Sequence, residues 1–185
     1  MIPGTPTLIE YEYKRHGTQT LIANFEIATG QCIAPSLGES RTEEDFVAHI
    51  AQTIALDPDA KWIFIVDQLN THKSALLVEF VANHCQLDED LGVKGTRGIL
   101  LSMATRAAFL SNPDHQIRFV YTPKHTSWLN QIEIWFSILT RRLLKRCSFS
   151  SKEELRQRIL DFIDYFNRTM AKPFKWTYAG RPLQI

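Results

Sequence analysis

No apolar run in the sequence exceeds a handful of residues, far short of the roughly 20 that cross a bilayer. Its opening, "MIPGTPTLIEYEYKRHG", lacks the basic head and apolar stretch of a secretory signal. Cysteine is scarce: Cys32, Cys85 and Cys147 are odd in number, far apart and form no C-x-x-C pair. That excludes a disulfide framework and a thiolate zinc site, and it fits reduced filler thiols in a cytoplasmic protein. There is no glycine-rich phosphate loop, no Ser/His/Asp nucleophile pattern, no internal repeat and no low-complexity segment. What remains is the composition of an ordinary globular domain, 185 residues with 44% hydrophobic and 22% charged.

The net charge of +1 conceals a split. Residues 118–185 hold 13 Lys+Arg against 5 Asp+Glu, whereas residues 1–117 hold 8 against 15. A basic C-terminal part on a nearly neutral chain points to a polyanion docked there. Periodicity supplies the elements. "TQTLIANFEIATGQCIAPSL" reads as a hairpin turning at Thr29-Gly30. "SRTEEDFVAHIAQTIAL" reads as a helix capped by Ser40 or Thr42, and "KWIFIVD" as a strand covered on both faces. "KSALLVEFVANHC" follows as a helix, and a short one is predicted around "ILLSMATRAAFL". Then come a strand in "IRFVYTP", one long helix over "SWLNQIEIWFSILTRRLLKR" and a last helix over "SKEELRQRILDFIDYFNRTM", capped by Ser150 or Ser151. That order predicts an α/β domain with helices on a mixed sheet.

Two carboxylates stand out. Asp67 ends a strand that reads as buried, where open α/β sheets place their ligand sites, although such an Asp also caps turns. Glu133 lies among Ile132, Ile134, Trp135 and Phe136 on a helix expected to pack on that sheet, so it should meet a cation or have a raised pKa. A strand-end acid and a helix acid can meet around a hard divalent cation, which prefers oxygen ligands. Two-metal phosphodiester chemistry requires three or four acids, and the sequence offers these two. Arg141, Arg142, Lys145 and Arg146 follow Glu133 and can neutralise phosphates. Lys124, His125, Trp128 and Asn130 precede it, with donors and a stacking surface for DNA. Asn70, His72 and Lys73 sit just past Asp67 as candidate supporting residues.

"WIFIVDQLNTHKS" followed by "VYTPKHTSWLNQIEIWFSILTRRLLKR" resembles the catalytic core of DDE transposases, specifically the bacterial insertion-sequence branch of the Tc/mariner superfamily. "EYKRHGTQTLIANFEIATGQ" and "FIDYFNRTMAKPFKWTY" extend the likeness over nearly the whole chain. The resemblance implies an RNase H-like fold and cleavage and joining of double-stranded transposon ends. It also implies Mg²⁺ (or Mn²⁺) at a two-metal centre and a homodimer on paired ends. Asp67 and Glu133 become the second and third catalytic acids and metal ligands.

The chain departs from that pattern in three ways. The family's first catalytic Asp lies on a strand upstream of the segment matching "EYKRHGT", so the first strand of the fold is expected to be missing and the chain alone inactive. An upstream reading frame, or a decayed element, is the expected context, and the helix-turn-helix region of such transposases also has no counterpart here. Secondly, 66 positions separate Asp67 from Glu133, about twice the usual interval, which makes about 87–116 an insertion expected to be a surface elaboration. Thirdly, Gln68 stands where the family commonly has Asn. One alternative is a non-catalytic fragment that binds DNA or transposase subunits as a regulator. Another is a different RNase H-like nuclease, which "SWLNQIEIWF" disfavours.

Overall fold

The computed structural model describes residues 17–123 and 130–173. Its elements in chain order are β1 (Thr20–Glu26), β2 (Gln31–Gly38), α1 (Glu43–Ile54), β3 (Trp62–Val66), α2 (Ala75–His84), α3 (Met103–Leu110), β4 (Ile117–Tyr121), α4 (Gln131–Leu139) and α5 (Lys152–Thr169). Short 3₁₀ turns at Asn70–Lys73 and Ile99–Leu101 precede α2 and α3, and α4 runs into a π turn at Thr140–Leu144. Among the described residues no helix is long and apolar enough to cross a membrane.

Local chemistry explains most boundaries. Gly30 closes the β1–β2 turn at φ +74°, and the Lys172 carbonyl oxygen would lie 1.9 Å from any Cβ there, so no larger residue fits. The hairpin register slips between Ile22 and Asn24 where β2 carries one extra residue, next to Ala34 at φ +45°. Thr42 caps α1 in a reciprocal capping box with Asp45; Ser74 caps α2, and Ser151 caps α5. The predicted "ILLSMATRAAFL" helix is split at Ser102, whose side chain starts a new capping box with Thr105.

β1 and β2 pair antiparallel, β3 and β4 parallel, giving two two-stranded sheets flanked by helices. The parallel pair buries Phe64, Val66, Ile117 and Phe119 against α1, α2 and α3 in a first core. Alternation along β1 sends Leu21, Ala23 and Phe25 to a second core built from Trp135 and Leu139 of α4 and Ile159, Ile163 and Phe166 of α5. Ile22 on the opposite face joins the first core, so β1 links the two.

The stretch from 87 to 116 is not the surface elaboration expected of it. Leu100, Phe109 and Leu110 are buried in the first core, and α3 packs on α2.

Candidate active site

β3 ends at Val66, and parallel pairing with Ile117–Tyr121 fixes where Asp67 emerges. Its Oδ1 accepts the Leu69 backbone N–H at 3.0 Å and lies 2.9 Å from His72 Nδ1. Asp67 therefore does cap the turn that follows it, as the simpler reading of a strand-end Asp foresaw. Its other carboxylate oxygen has no partner among the described residues and remains open to a ligand.

The loop behind Asp67 is held from several elements. The His72 ring stacks at 4.4 Å on Phe46 of α1, and its backbone carbonyl accepts from Tyr121 Oη at 2.8 Å. Burial lowers the His72 pKa, while the Asp67 carboxylate pulls the other way. Gln68 donates through Nε2 to the Thr122 carbonyl and accepts from the Lys73 ammonium, which sits 4.7 Å from the Tyr121 ring centroid. Arg106 of α3 donates to the Lys73 carbonyl at 2.7 Å. His72 and Lys73 thus have the supporting places the sequence suggested, whereas Asn70 is exposed with no side-chain hydrogen bond among the described residues. Phe46, Tyr121 and Arg106 carried no local signal. Each reaches the loop from a distant part of the chain.

Glu133 occupies the first turn of α4, where the helix N-terminus favours a carboxylate. Its apolar neighbours explain its setting: Trp135 is 1% exposed in the second core, with Ile132 and Phe136 packed beside it. Glu133 itself is exposed and has no partner among the described residues, so the burial expected of it is not found. Asp67 and Glu133 line one cavity of about 290 Å³, together with Thr71, His72 and Phe136.

Asn130 also borders that cavity, but its side chain accepts the Ile132 N–H as the N-cap of α4. The basic residues lie further on. Arg141, Arg142 and Arg146 meet Ile138 and Met170 around a separate cavity of about 480 Å³, with Lys145 exposed just after the π turn and outside that lining. Lys124, His125 and Trp128 lie outside the described residues.

Two acids from different elements on one cavity, with a basic turn further along the same helix, are what a phosphodiester-cleaving centre needs as a start. The model of one protein family, described as DDE superfamily endonuclease, matches residues 1–156. The chain belongs to that family. No curated protein matches it, and no solved structure does.

As a DDE superfamily endonuclease the chain is a transposase-like nuclease, and its mixed α/β architecture agrees with an RNase H-like fold. Such enzymes act on DNA and generally use divalent metals. The donors here fit one, since Asp67 and Glu133 offer hard carboxylate oxygens and, among the described residues, no Lys or Arg side chain pairs with either. Among the described residues no group of three His, Cys, Asp or Glu side chains converges.

Proposed function

We propose that this chain is the catalytic core of a DNA transposase of the bacterial insertion-sequence branch of Tc/mariner elements, cutting and joining element ends. Asp67 and Glu133 are its second and third catalytic acids and would hold Mg²⁺ or Mn²⁺. The observation that carries this reading is their shared cavity in a chain of the DDE endonuclease family. When bound, the metal would supply charge neutralisation at the scissile phosphate and a more acidic attacking water or 3′-hydroxyl. The protein's own part is positional. Leu69 and His72 fix one oxygen of Asp67, and the packing of Trp135 and Phe136 fixes the start of α4 and so Glu133.

Arg141, Arg142 and Arg146 bind the phosphate backbone of double-stranded DNA, with Lys145 adding to the field. Lys124, His125, Trp128 and Asn130 are further DNA-binding residues in this reading. A third acid, which such chemistry requires, comes from outside the described residues, and the product of an upstream reading frame is one partner that could bring it. The completed protein works as a homodimer on paired ends, in the cytoplasm at the nucleoid, and residues 87–116 form a family-atypical insertion.

The test is metal-dependent nicking of a plasmid carrying the element's own ends, using the chain completed by its upstream segment. Asp67→Ala and Glu133→Ala should each lower nicking by at least about 100-fold, beyond the roughly 10–100-fold typical of residues that only orient a ligand. Variants that cut like the parent would remove both residues from the mechanism.

A second reading has its own observation. Only two acids line that cavity among the described residues, which suits a regulator that binds DNA or transposase subunits without cutting. Gel-shift affinity unchanged by EDTA, together with no nicking by the completed chain, would favour it.

A further inference from the structure

Asp67 takes its aim from a very short element. The two groups that hold its Oδ1, the Leu69 N–H and His72 Nδ1, belong to the 3₁₀ turn at Asn70–Lys73 and the residue capping it. A turn of 4 residues is poorly self-supporting, because 3₁₀ hydrogen bonds have strained geometry and the last carbonyls are left without partners. Its own bonds are few. The His72 N–H donates to the Leu69 carbonyl at 3.1 Å, and the Ser74 N–H to the Thr71 carbonyl at 3.4 Å. The carbonyls of His72 and Lys73 are met from outside, by Tyr121 Oη at 2.8 Å and by Arg106 Nε at 2.7 Å.

Arg106 is what the stretch from 87 to 116 contributes here. The same guanidinium donates through Nη1 to the Leu100 carbonyl at 3.3 Å. One planar fork thus joins two 3₁₀ turns, Asn70–Lys73 beside Asp67 and Ile99–Leu101 ahead of α3. Its base is fixed. Thr105 Oγ1 donates to the Ile99 carbonyl at 2.8 Å, the Leu100 N–H donates to the Leu91 carbonyl at 2.9 Å, and Phe109 and Leu110 root α3 in the first core. Arg106 is half-buried, and among the described residues no Asp or Glu pairs with it. A guanidinium that gives up water without meeting a carboxylate is explained by what it does hold, which is two backbone carbonyls.

We infer that Arg106 is a positioning residue for Asp67, and that through it the stretch from 87 to 116 is part of the scaffold of the active site. The inference rests on the reading above in taking Asp67 as a metal ligand. The path of contacts is short. Arg106 fixes the Lys73 carbonyl, the Lys73 ammonium is held by Gln68 Oε1 over the Tyr121 ring, and Gln68 Nε2 donates to the Thr122 carbonyl past β4. Releasing Lys73 loosens the turn at its C-terminal end, and with it the His72 ring that braces Asp67. Direct partners of a metal ligand are worth roughly 10–100-fold in affinity, and Arg106, one step further out, belongs at the lower end.

Amide hydrogen exchange of the 185-residue chain in EDTA, and Mn²⁺ binding followed by electron paramagnetic resonance, test it. Arg106→Gln should speed exchange at residues 69–74 by about ten-fold and leave β1, β2 and α5 as in the parent. It should weaken Mn²⁺ binding by about ten-fold. In the nicking assay kcat should fall by a similar factor with KM for DNA unchanged. Arg106→Lys, still able to reach one carbonyl, should recover part of each loss. Leu110→Ala separates aim from stability, since it should lower the urea midpoint and leave Mn²⁺ binding close to the parent's. Exchange at 69–74 equal to the parent's, Mn²⁺ binding weakened no more than by Leu110→Ala, or a change in KM alone would overturn the proposal. A parent that neither binds Mn²⁺ nor nicks DNA would instead sink the catalytic reading, and the exchange measurement, which needs no metal, would still decide whether Arg106 holds the turn.

Discussion

His72 shows how much of a site is set by a residue that need not touch substrate. It braces Asp67 from a half-buried position between Phe46 and the Tyr121 hydroxyl. His72→Ala should lower nicking by about 10–100-fold, as loss of an orienting partner does, with metal affinity falling in parallel. Isothermal titration with Mn²⁺ on the completed protein checks the second half.

His49 makes a different prediction. It is 1% exposed, its Nδ1 lies 2.8 Å from Ser36 Oγ, and burial pushes its pKa down from the usual 6.5 to about 4. The unfolded chain therefore takes up this proton first as pH falls. Its contribution is intact above pH 6.5 and is lost on the way down to about 4, at up to ~1.4 kcal/mol per pH unit. Urea midpoints measured across that window should show the slope, and His49→Gln should remove its share. Cys32, buried with its thiol pushed up to about 12, should resist alkylation at pH 8 while the exposed Cys147 reacts. Mass spectrometry after a timed iodoacetamide pulse separates the two.

At the level of elements, the segments with strong local signals were legible. The Thr42 and Ser151 caps, the Gly30 turn and the apolar stripe of α5 are short-range chemistry, and the structure has them as read. The misreadings share a cause in long-range packing. The glycine-containing stretch after α2 was read as a surface insertion because the interval from Asp67 to Glu133 is about twice the usual one, yet Leu110 is fully buried. Leu110→Ala should cost about 2–5 kcal/mol, read as a drop in the urea midpoint, where a surface insertion would lose almost nothing. One long helix was expected over "SWLNQIEIWFSILTRRLLKR", but the register widens at Thr140–Leu144, and Arg141 and Arg142 of that π turn line one cavity with Arg146 beyond it. Arg142→Ala and Arg146→Ala should each weaken DNA binding evenly across sequences and reduce the slope of log K against log salt by about 1. Fluorescence anisotropy at several salt concentrations measures that slope.

Among the described residues the hydrophobic interior divides in two, and no periodicity in the sequence announced this. Asp67 follows a strand rooted in the core of α1, α2 and α3, whereas Glu133 sits on a helix rooted in the core of α4, α5 and the hairpin. Each acid was legible as a candidate from its own neighbours. Their relation was not, because it depends on how two cores are joined through one strand.

That division makes the candidate metal centre a reporter of how the two halves are held together. A cation held by Asp67 and Glu133 would select the arrangements in which both carboxylates face one cavity, and any ligand that fixes how the two cores meet would select from the same set. Two ligands that favour the same arrangement strengthen each other's binding by equal factors, whichever arrives first. Metal affinity would then rise whenever the two cores are held in that arrangement.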